Sequence, residues 1–194
     1  MPRPKLFDKE VVLEKAVNFF WEKGYNGTSI GELIKYLGIS KSSMYDTFGN
    51  KQQLYEAAIK AYRQKGTVFL KNQLQTHTSA KEGITSLFKN AITESVNDTK
   101  RKGCFIVNCT TEYLDNQPKI VQELLDNKVT FENILGEVIQ RGIDNQEFNP
   151  NLDVKATATY LYTFLSGLRV MSKVEPCSEE MTKSVELGLK VLEG

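Results

Sequence analysis

The segment GISKSSMYDTFGNK, residues 38–51, combines groups that bind phosphate with an apolar side. Three serines and one lysine lie within four consecutive residues: Ser40, Lys41, Ser42 and Ser43. Small hydroxyl residues let a backbone approach phosphates closely, and a lysine can reach a phosphate or a guanine edge. Met44 and Phe48 follow at helical spacing. The segment therefore predicts a short helix with a buried apolar side and a polar outer side.

The flanking residues supply the start and stop signals of further helices. An apolar face at helical spacing predicts a helix over residues 8–23, which Gly24 ends. Ser29 with Glu32 forms a capping box for the next helix, and Ser40 is placed to cap the segment described above. Three short helices, the second and third joined by LGIS, describe a helix-turn-helix, which places its last helix in the DNA major groove.

The rest of the chain is also predicted to be helical. Helix-start signals recur at three places: Asn50 with Gln53, Ser79 with Glu82, and Pro118 in a first turn. The first of these opens a long helix after residue 50, and the last two helices are expected over residues 153–173 and 178–192. Residue propensities do not decide whether the segment CFIVNCTTEYL forms a short helix or a strand. The fold class expected is all-α.

Composition limits the classes of function. The chain has 194 residues and a net charge of +1, but residues 1–65 hold 11 Lys/Arg against 7 Asp/Glu and the remainder 14 against 17. This difference in charge weakly favours a separate role for the basic N-terminal segment. On spacing alone, a DNA-binding head and an ordinary helical domain with serine-capped helices both remain open.

Residue types argue against catalysis, metals and membranes. His77 is the only histidine, and no nucleophile–base pair, metal-ligand cluster or phosphate loop is recognisable, so we expect no enzyme, no metal and no cofactor. An odd number of cysteines without framework spacing predicts reduced thiols and a cytoplasmic protein. No signal peptide or apolar run of spanning length is recognisable, so no membrane partner is expected.

Residues 19–59, FFWEKGYNGTSIGELIKYLGISKSSMYDTFGNKQQLYEAAI, carry a resemblance to a known family. The matching features are Phe20, Gly24, Tyr25, Thr28, Ser29, Leu33, Gly38, Ile39, Ser40, Met44, Tyr45, Phe48, Lys51 and Leu54. In these positions the chain resembles the DNA-binding domain of the tetracycline-repressor-like (TetR/AcrR) family of bacterial transcription regulators.

The resemblance implies two parts and a set of DNA contacts. Residues 1–56 would form a three-helix helix-turn-helix DNA-binding domain, and residues 57–194 a helical effector-binding and dimerisation domain. The implied contacts are Thr28 and Ser29 to phosphates, Ser40 at the start of the reading helix, Lys41, Ser42 and Ser43 to bases, and Tyr45 and Lys51 to the backbone. Asp46 departs from the family pattern, because a carboxylate repels phosphate; it either accepts from a cytosine amino group or points away.

The second part resembles the family less specifically, through KGCFIVNCTTEY and YLYTFLSGLRVM. The resemblance implies a small-molecule effector, for which the candidate pocket residues are Cys104, Asn108, Tyr113, Phe131 and Tyr162. Arg169 either orients a ligand or forms an ion pair at a subunit interface. The resemblance also implies a homodimer through the last two helices. Their apolar residues either face a partner or complete the core of one chain: Val154, Ala158, Leu161, Tyr162, Leu165, Leu168, Met181, Val185, Leu189 and Leu192.

The function expected is that of a homodimeric repressor, released from a near-palindromic double-stranded operator by a small-molecule effector. Three alternatives stay open. Cys104 follows the basic run KRKG and could sense oxidants or electrophiles. The protein could be an activator of the same family. It could also be an architectural DNA binder, which would show little sequence preference and a steep salt dependence.

Two lysine substitutions separate phosphate contact from base reading. We expect Lys51→Ala to weaken binding about equally on all DNA and to lower the slope of log affinity against log salt by about one unit. We expect Lys41→Ala to relax the preference at particular base pairs. Fluorescence anisotropy on single-base operator variants at several salt concentrations measures both effects, and a uniform loss in Lys41→Ala would reassign Lys41 to phosphate contact.

Overall fold

The computed structural model describes residues 7–112 and 117–193, and every regular element in them is a helix, as predicted. In chain order the helices are α1 (Lys9–Lys23), α2 (Ile30–Leu37), α3 (Lys41–Phe48), α4 (Lys51–Gln75), α5 (Ala80–Asn97), α6 (Phe105–Thr111), α7 (Pro118–Asp144), α8 (Val154–Met171) and α9 (Ser178–Leu189), the last continued by a 3-10 turn (Lys190–Leu192). The ambiguous segment CFIVNCTTEYL contains α6, and its last two residues lie outside the described part of the chain. None of these helices is long and apolar enough to cross a membrane.

Side chains at the helix starts satisfy backbone N–H groups that a first turn leaves unpaired. Six N-cap side chains accept such hydrogen bonds: Asp8, Ser29, Ser40, Asn50, Ser79 and Asp153. Asn50 and Gln53 form a complete reciprocal capping box, and Pro118 occupies the first position of α7. The helix starts predicted from these local signals are therefore confirmed.

One hydrophobic core lies beneath the three N-terminal helices and the first half of α4. Residues from distant parts of the chain complete it: Cys104, Phe105, Ile106 and Cys109 around α6, and Ile120 at the start of α7. Phe20 of α1 and Phe105 of α6 both contact Tyr55 of α4 edge-on, with ring centroids 4.8 and 6.0 Å away. By packing, α6 belongs to the helix-turn-helix half.

A second core lies between the C-terminal half of α4 and helices α5, α7, α8 and α9. With 25 residues, α4 is about 37 Å long. It contributes Tyr55 and Ile59 to the first core and Leu70 and Leu74 to the second. A division of the chain after residue 56 falls inside this continuous helix and stays a prediction.

Helices α8 and α9 pack closely at Gly188, where a Cβ atom would lie 2.5 Å from the Phe164 ring. Most of the apolar residues for which both alternatives were open are buried in the core of this one chain: Ala158, Leu161, Leu165, Leu168, Met181, Val185 and Leu192. Of the two alternatives, these positions therefore complete the core. Other apolar residues on or beside the same helices are exposed: Tyr160, Val170, Met171, Val174, Leu187 and Val191.

Candidate nucleic-acid interface and ligand cavity

Helix α3 has a polar N-terminus and a buried apolar side. The Ser40 hydroxyl oxygen accepts from the Ser43 backbone N–H at 3.1 Å and lies 2.9 and 3.0 Å from the Ser43 and Ser42 hydroxyl oxygens. Exposed Lys41 is the first residue of the helix, and Met44 is fully buried on the other side. A hydroxyl cluster and a lysine thus surround the positive end of the helix dipole, which favours phosphate.

Two further residues extend this polar surface. Tyr45 is 43% exposed, and Asp46 beside it is also exposed. Lys51 begins α4, and its ammonium nitrogen lies 4.2 Å from the centroid of the Tyr25 ring. Burial lowers the pKa of Lys51, while the Glu112 carboxylate opposes that shift. The Tyr25 ring thus positions the Lys51 ammonium through a cation–π contact.

Ser29 and Thr28, at the start of α2, occupy different environments. Exposed Ser29 caps the helix: its hydroxyl oxygen accepts from the Glu32 backbone N–H at 3.2 Å and donates to the Glu32 carboxylate at 2.7 Å. Thr28 is only 3% exposed, and its hydroxyl donates to the Gly24 carbonyl at 2.6 Å. The resemblance implied a phosphate contact for Thr28, but its single O–H is used inside the turn before α2.

Glu112, which ends α6, holds the turn that precedes α2. Its carboxylate accepts from the backbone N–H groups of Tyr25 at 2.9 Å and Asn26 at 2.7 Å. The Tyr55 hydroxyl lies 3.3 Å from the same carboxylate and 3.0 Å from the Cys109 sulfur. Gly24 has φ 71°, and a Cβ on it would lie 3.0 Å from a Glu112 oxygen. The turn therefore needs glycine both for its backbone conformation and for this close approach.

No pattern in the sequence singled out Glu112. It stands 86 residues beyond Asn26, and a glutamate at a helix end is most simply explained as solvated. Only the packing of α6 into the first core brings it to the turn. In the same cluster, burial raises the pKa of the Cys109 thiol to about 12, which keeps it protonated as an acceptor for Tyr55.

A cavity of about 790 Å³ lies between α1, the middle of α4, and helices α5 to α8. Of the predicted pocket residues, Cys104, Phe131 and Tyr162 line it. Asn108 does not, because its amide donates to the Lys102 carbonyl and accepts from Lys173. Tyr113 lies outside the described residues. Sequence reasoning missed the α1 wall, which includes Leu13, Val17 and Trp21.

Arg169 of α8 is one of the charged residues that line this cavity. Its side chain is 24% exposed, and its guanidinium lies 3.7 Å from the Glu94 carboxylate of the same chain. Burial favours a lower pKa for Arg169, but the nearby Cys104, Tyr62 and Glu94 groups raise it above its ordinary value. Of the two roles left open for Arg169, this position supports the ligand-facing one.

A capped helix-turn-helix, carried by a helical body that encloses a cavity, defines a DNA-binding regulator. The family model for "Bacterial regulatory proteins, tetR family" matches residues 12–58, and that for "Tetracyclin repressor-like, C-terminal domain" matches residues 80–186. The chain belongs to the tetR family of bacterial transcription regulators.

Whole-length relatives agree with this membership. The chain is 30% identical to the uncharacterised HTH-type transcriptional regulator YezE of Bacillus subtilis, over the full length of both. It is 27% identical to the HTH-type transcriptional repressor ComR of Escherichia coli, over 97% of this chain and 90% of that protein. A cysteine-substituted CifR regulator, solved with 26-bp double-stranded operator DNA, has a TM-score of 0.86 and 26% identity, covering 97% of this chain and 98% of CifR.

Substitution of Glu112 tests the link between α6 and the turn before α2. In Glu112→Gln one acceptor oxygen becomes an NH2 group that faces a backbone N–H. We expect the free energy of unfolding to fall by about 1–3 kcal/mol, with weaker operator binding. Chemical denaturation and anisotropy measure the two effects, and Glu137→Gln, at an exposed acid of α7, is the matched control. Wild-type values for both quantities in Glu112→Gln would contradict the assignment.

Proposed function

We propose that the protein is a homodimeric repressor that a small molecule releases from a near-palindromic operator. The observation that carries the proposal is the polar N-terminus of α3. Its hydroxyl cluster and Lys41 belong to a helix whose apolar side is buried in the core. The fold is shared with a relative that was solved with operator DNA. Such a surface suits phosphate and base contacts in a major groove.

The proposed DNA contacts come from three neighbouring elements: Ser29 of α2, then Ser40, Lys41, Ser42, Ser43 and Tyr45 at α3, and Lys51 of α4. Thr28 supports the turn from inside instead. Lys41, Ser42 and Ser43 face bases, because they occupy the first turn of the reading helix. Ser29, Tyr45 and Lys51 flank that turn and contact the phosphate backbone.

The proposed dimer forms through exposed apolar residues of the last two helices. Met171 and Val174 at the end of α8, and Leu187 of α9, are each at least 63% exposed. Exposed apolar groups that cluster on one side of a protein mark interaction surfaces. A symmetric dimer would present two α3 helices to two half-sites, which explains a near-palindromic operator.

The proposed release uses α6. Cys104, just before α6, lines the cavity, and Glu112, just after it, holds the turn before α2. A ligand that fits the cavity better when α6 is displaced would also displace Glu112. The helix-turn-helix, whose turn Glu112 holds, would then move as well. Operator and effector then favour different conformations, and each lowers the affinity for the other.

Selection from a randomised duplex pool tests operator recognition without assuming an operator sequence. We expect a near-palindromic sequence to be enriched and to bind at least about a thousandfold tighter than a scrambled duplex. Fluorescence anisotropy at several salt concentrations measures the ratio. Equal, steeply salt-dependent binding of both duplexes would favour an architectural binder, and an absence of binding at low salt would contradict the DNA-binding proposal.

A second candidate function is oxidant sensing by Cys104. The thiol is 6% exposed, but it lines the cavity beside Arg169 and Tyr62. Hydrogen peroxide that enters the cavity would oxidise the thiol to sulfenic acid, with release of water. The new hydroxyl would enlarge the side chain at the start of α6.

Cysteine variants distinguish the two functions. If Cys104 senses oxidant, peroxide releases the wild-type protein from its operator, whereas Cys104→Ser stays bound. Cys177→Ser, at a cysteine outside the cavity lining, is the control and should respond like wild type. An unchanged response of Cys104→Ser in the anisotropy assay would exclude this candidate.

A further inference from the structure

The charges that line the cavity are sorted by depth. Its acidic residues are exposed at the solvent edge: Asp8, Glu10, Glu14 and Glu94. Lys65 is also at this edge, 72% exposed and 2.8 Å from Glu14. Two arginines lie deeper. Arg63 is 17% exposed and is paired with Glu123 at 3.1 Å and Asp126 at 3.7 Å. Arg169 is 24% exposed and lies 3.7 Å from the carboxylate of Glu94, which is 58% exposed. The inner end of the cavity is therefore positive.

The polar groups around Arg169 are also mainly hydrogen-bond donors. The Tyr62 hydroxyl is 3.9 Å from the Cys104 sulfur, a long contact for its proton. Asn127 donates to the Tyr162 oxygen at 3.4 Å, which leaves the Tyr162 proton available. Burial raises the pKa of both phenols, so they stay protonated donors at neutral pH.

Trp21 adds a donor that lacks an acceptor. Its ring lines the cavity, contacts Tyr62 edge-on and lies 4.2 Å from the Lys102 ammonium. Its indole N–H is buried and has no hydrogen-bond partner among residues 7–112 and 117–193. A buried donor without an acceptor costs free energy, and arginine and tryptophan side chains can only donate. A ligand that contacts Arg169 or the indole N–H of Trp21 would therefore have to supply acceptor atoms.

Much of the remaining lining is apolar. Side chains from several helices contribute: Leu70, Leu87, Val107, Phe131, Ile134 and Leu165. Ligand pockets with an apolar lining and a few polar groups bind molecules with an apolar body and a fixed polar end. A volume of about 790 Å³ falls within the usual range for such ligands.

We propose that the cavity binds an amphipathic carboxylic acid, with the carboxylate on Arg169 and the apolar body against Phe131 and Leu165. The guanidinium matches a carboxylate in charge and in planar geometry. The hydroxyl groups of Tyr62 and Tyr162 belong to residues that line the same cavity and can donate hydrogen bonds to this carboxylate. This assignment of ligand class rests on the proposed function, in which the cavity is the effector site.

Matched pairs of acids and primary amides test the ligand class directly. Octanoate, decanoate and naphthoate are titrated into the full chain by calorimetry, each beside octanamide, decanamide or naphthamide of the same carbon skeleton. We expect the protein to bind at least one acid about 10- to 100-fold tighter than its amide, because only the acid forms a charge-assisted hydrogen bond. If no acid in the series is preferred, the proposal is overturned.

Three variants test which side chain causes the preference for the acid over its amide. Arg169→Gln should bind acid and amide equally, whereas Arg169→Lys, which keeps the charge, should retain part of the preference. Lys65→Gln removes a positive charge from the exposed edge and should leave the preference unchanged. A preference that survives in Arg169→Gln, or that Lys65→Gln removes equally, would overturn the assignment to Arg169. Should Arg169→Gln fail to fold, the wild-type acid–amide ratio and Arg169→Lys still decide the outcome.

Operator release is measured separately with the same compounds. A preferred acid that lowers operator affinity supports both the ligand class and the effector function. An acid that binds through Arg169 without releasing DNA supports the ligand class and contradicts the effector function. An amide that binds as tightly as its acid and releases DNA contradicts the ligand class alone.

Discussion

The conformation of the turn before α2 depends on one carboxylate. Glu112 accepts hydrogen bonds from the Tyr25 and Asn26 backbones, and the Tyr55 hydroxyl lies within hydrogen-bonding distance of it. The turn before α2 lies between two helix ends, where backbone N–H groups are not all paired within a helix. Removal of the carboxylate would take this acceptor from the half-buried Tyr25 N–H, at a cost of about 1–3 kcal/mol. The turn before α2 is thus held by a residue that lies 86 positions further along the chain than Asn26.

This arrangement makes α6 a connection between the cavity and the turn before α2. Only seven residues long, it cannot bend much between Cys104 and Glu112. Phe105 and Ile106 of this helix are buried in the first core. The cavity also has a wall from α1, through Trp21 and Val17. A ligand would therefore contact the helix-turn-helix half directly as well as through α6.

The features that could be predicted from the sequence are those that local interactions determine. Serine caps at Ser29 and Ser40, and the box of Asn50 with Gln53, mark helix starts because cap and N–H are three residues apart. The reading helix and its polar outer side followed from the same local pattern. Three features could not be predicted. They are the hydrogen bond of Thr28 inside a turn, the hydrogen bonds of Glu112 to the turn before α2, and the contribution of α1 to the cavity wall. Each depends on contacts between residues that only the tertiary fold brings together.

Helix α4 contributes to both cores and α6 completes the first one, and these contacts affect how the chain unfolds. The first core takes Phe105, Ile106, Cys109 and Ile120 from beyond the helix-turn-helix, and α4 runs through both cores. Residues 1–56 therefore lack a large part of the apolar surface that covers their own core. Loss of either half exposes one side of α4 to water. We infer that the described chain melts as one cooperative unit, and that the helix-turn-helix segment alone is not an autonomous folding domain.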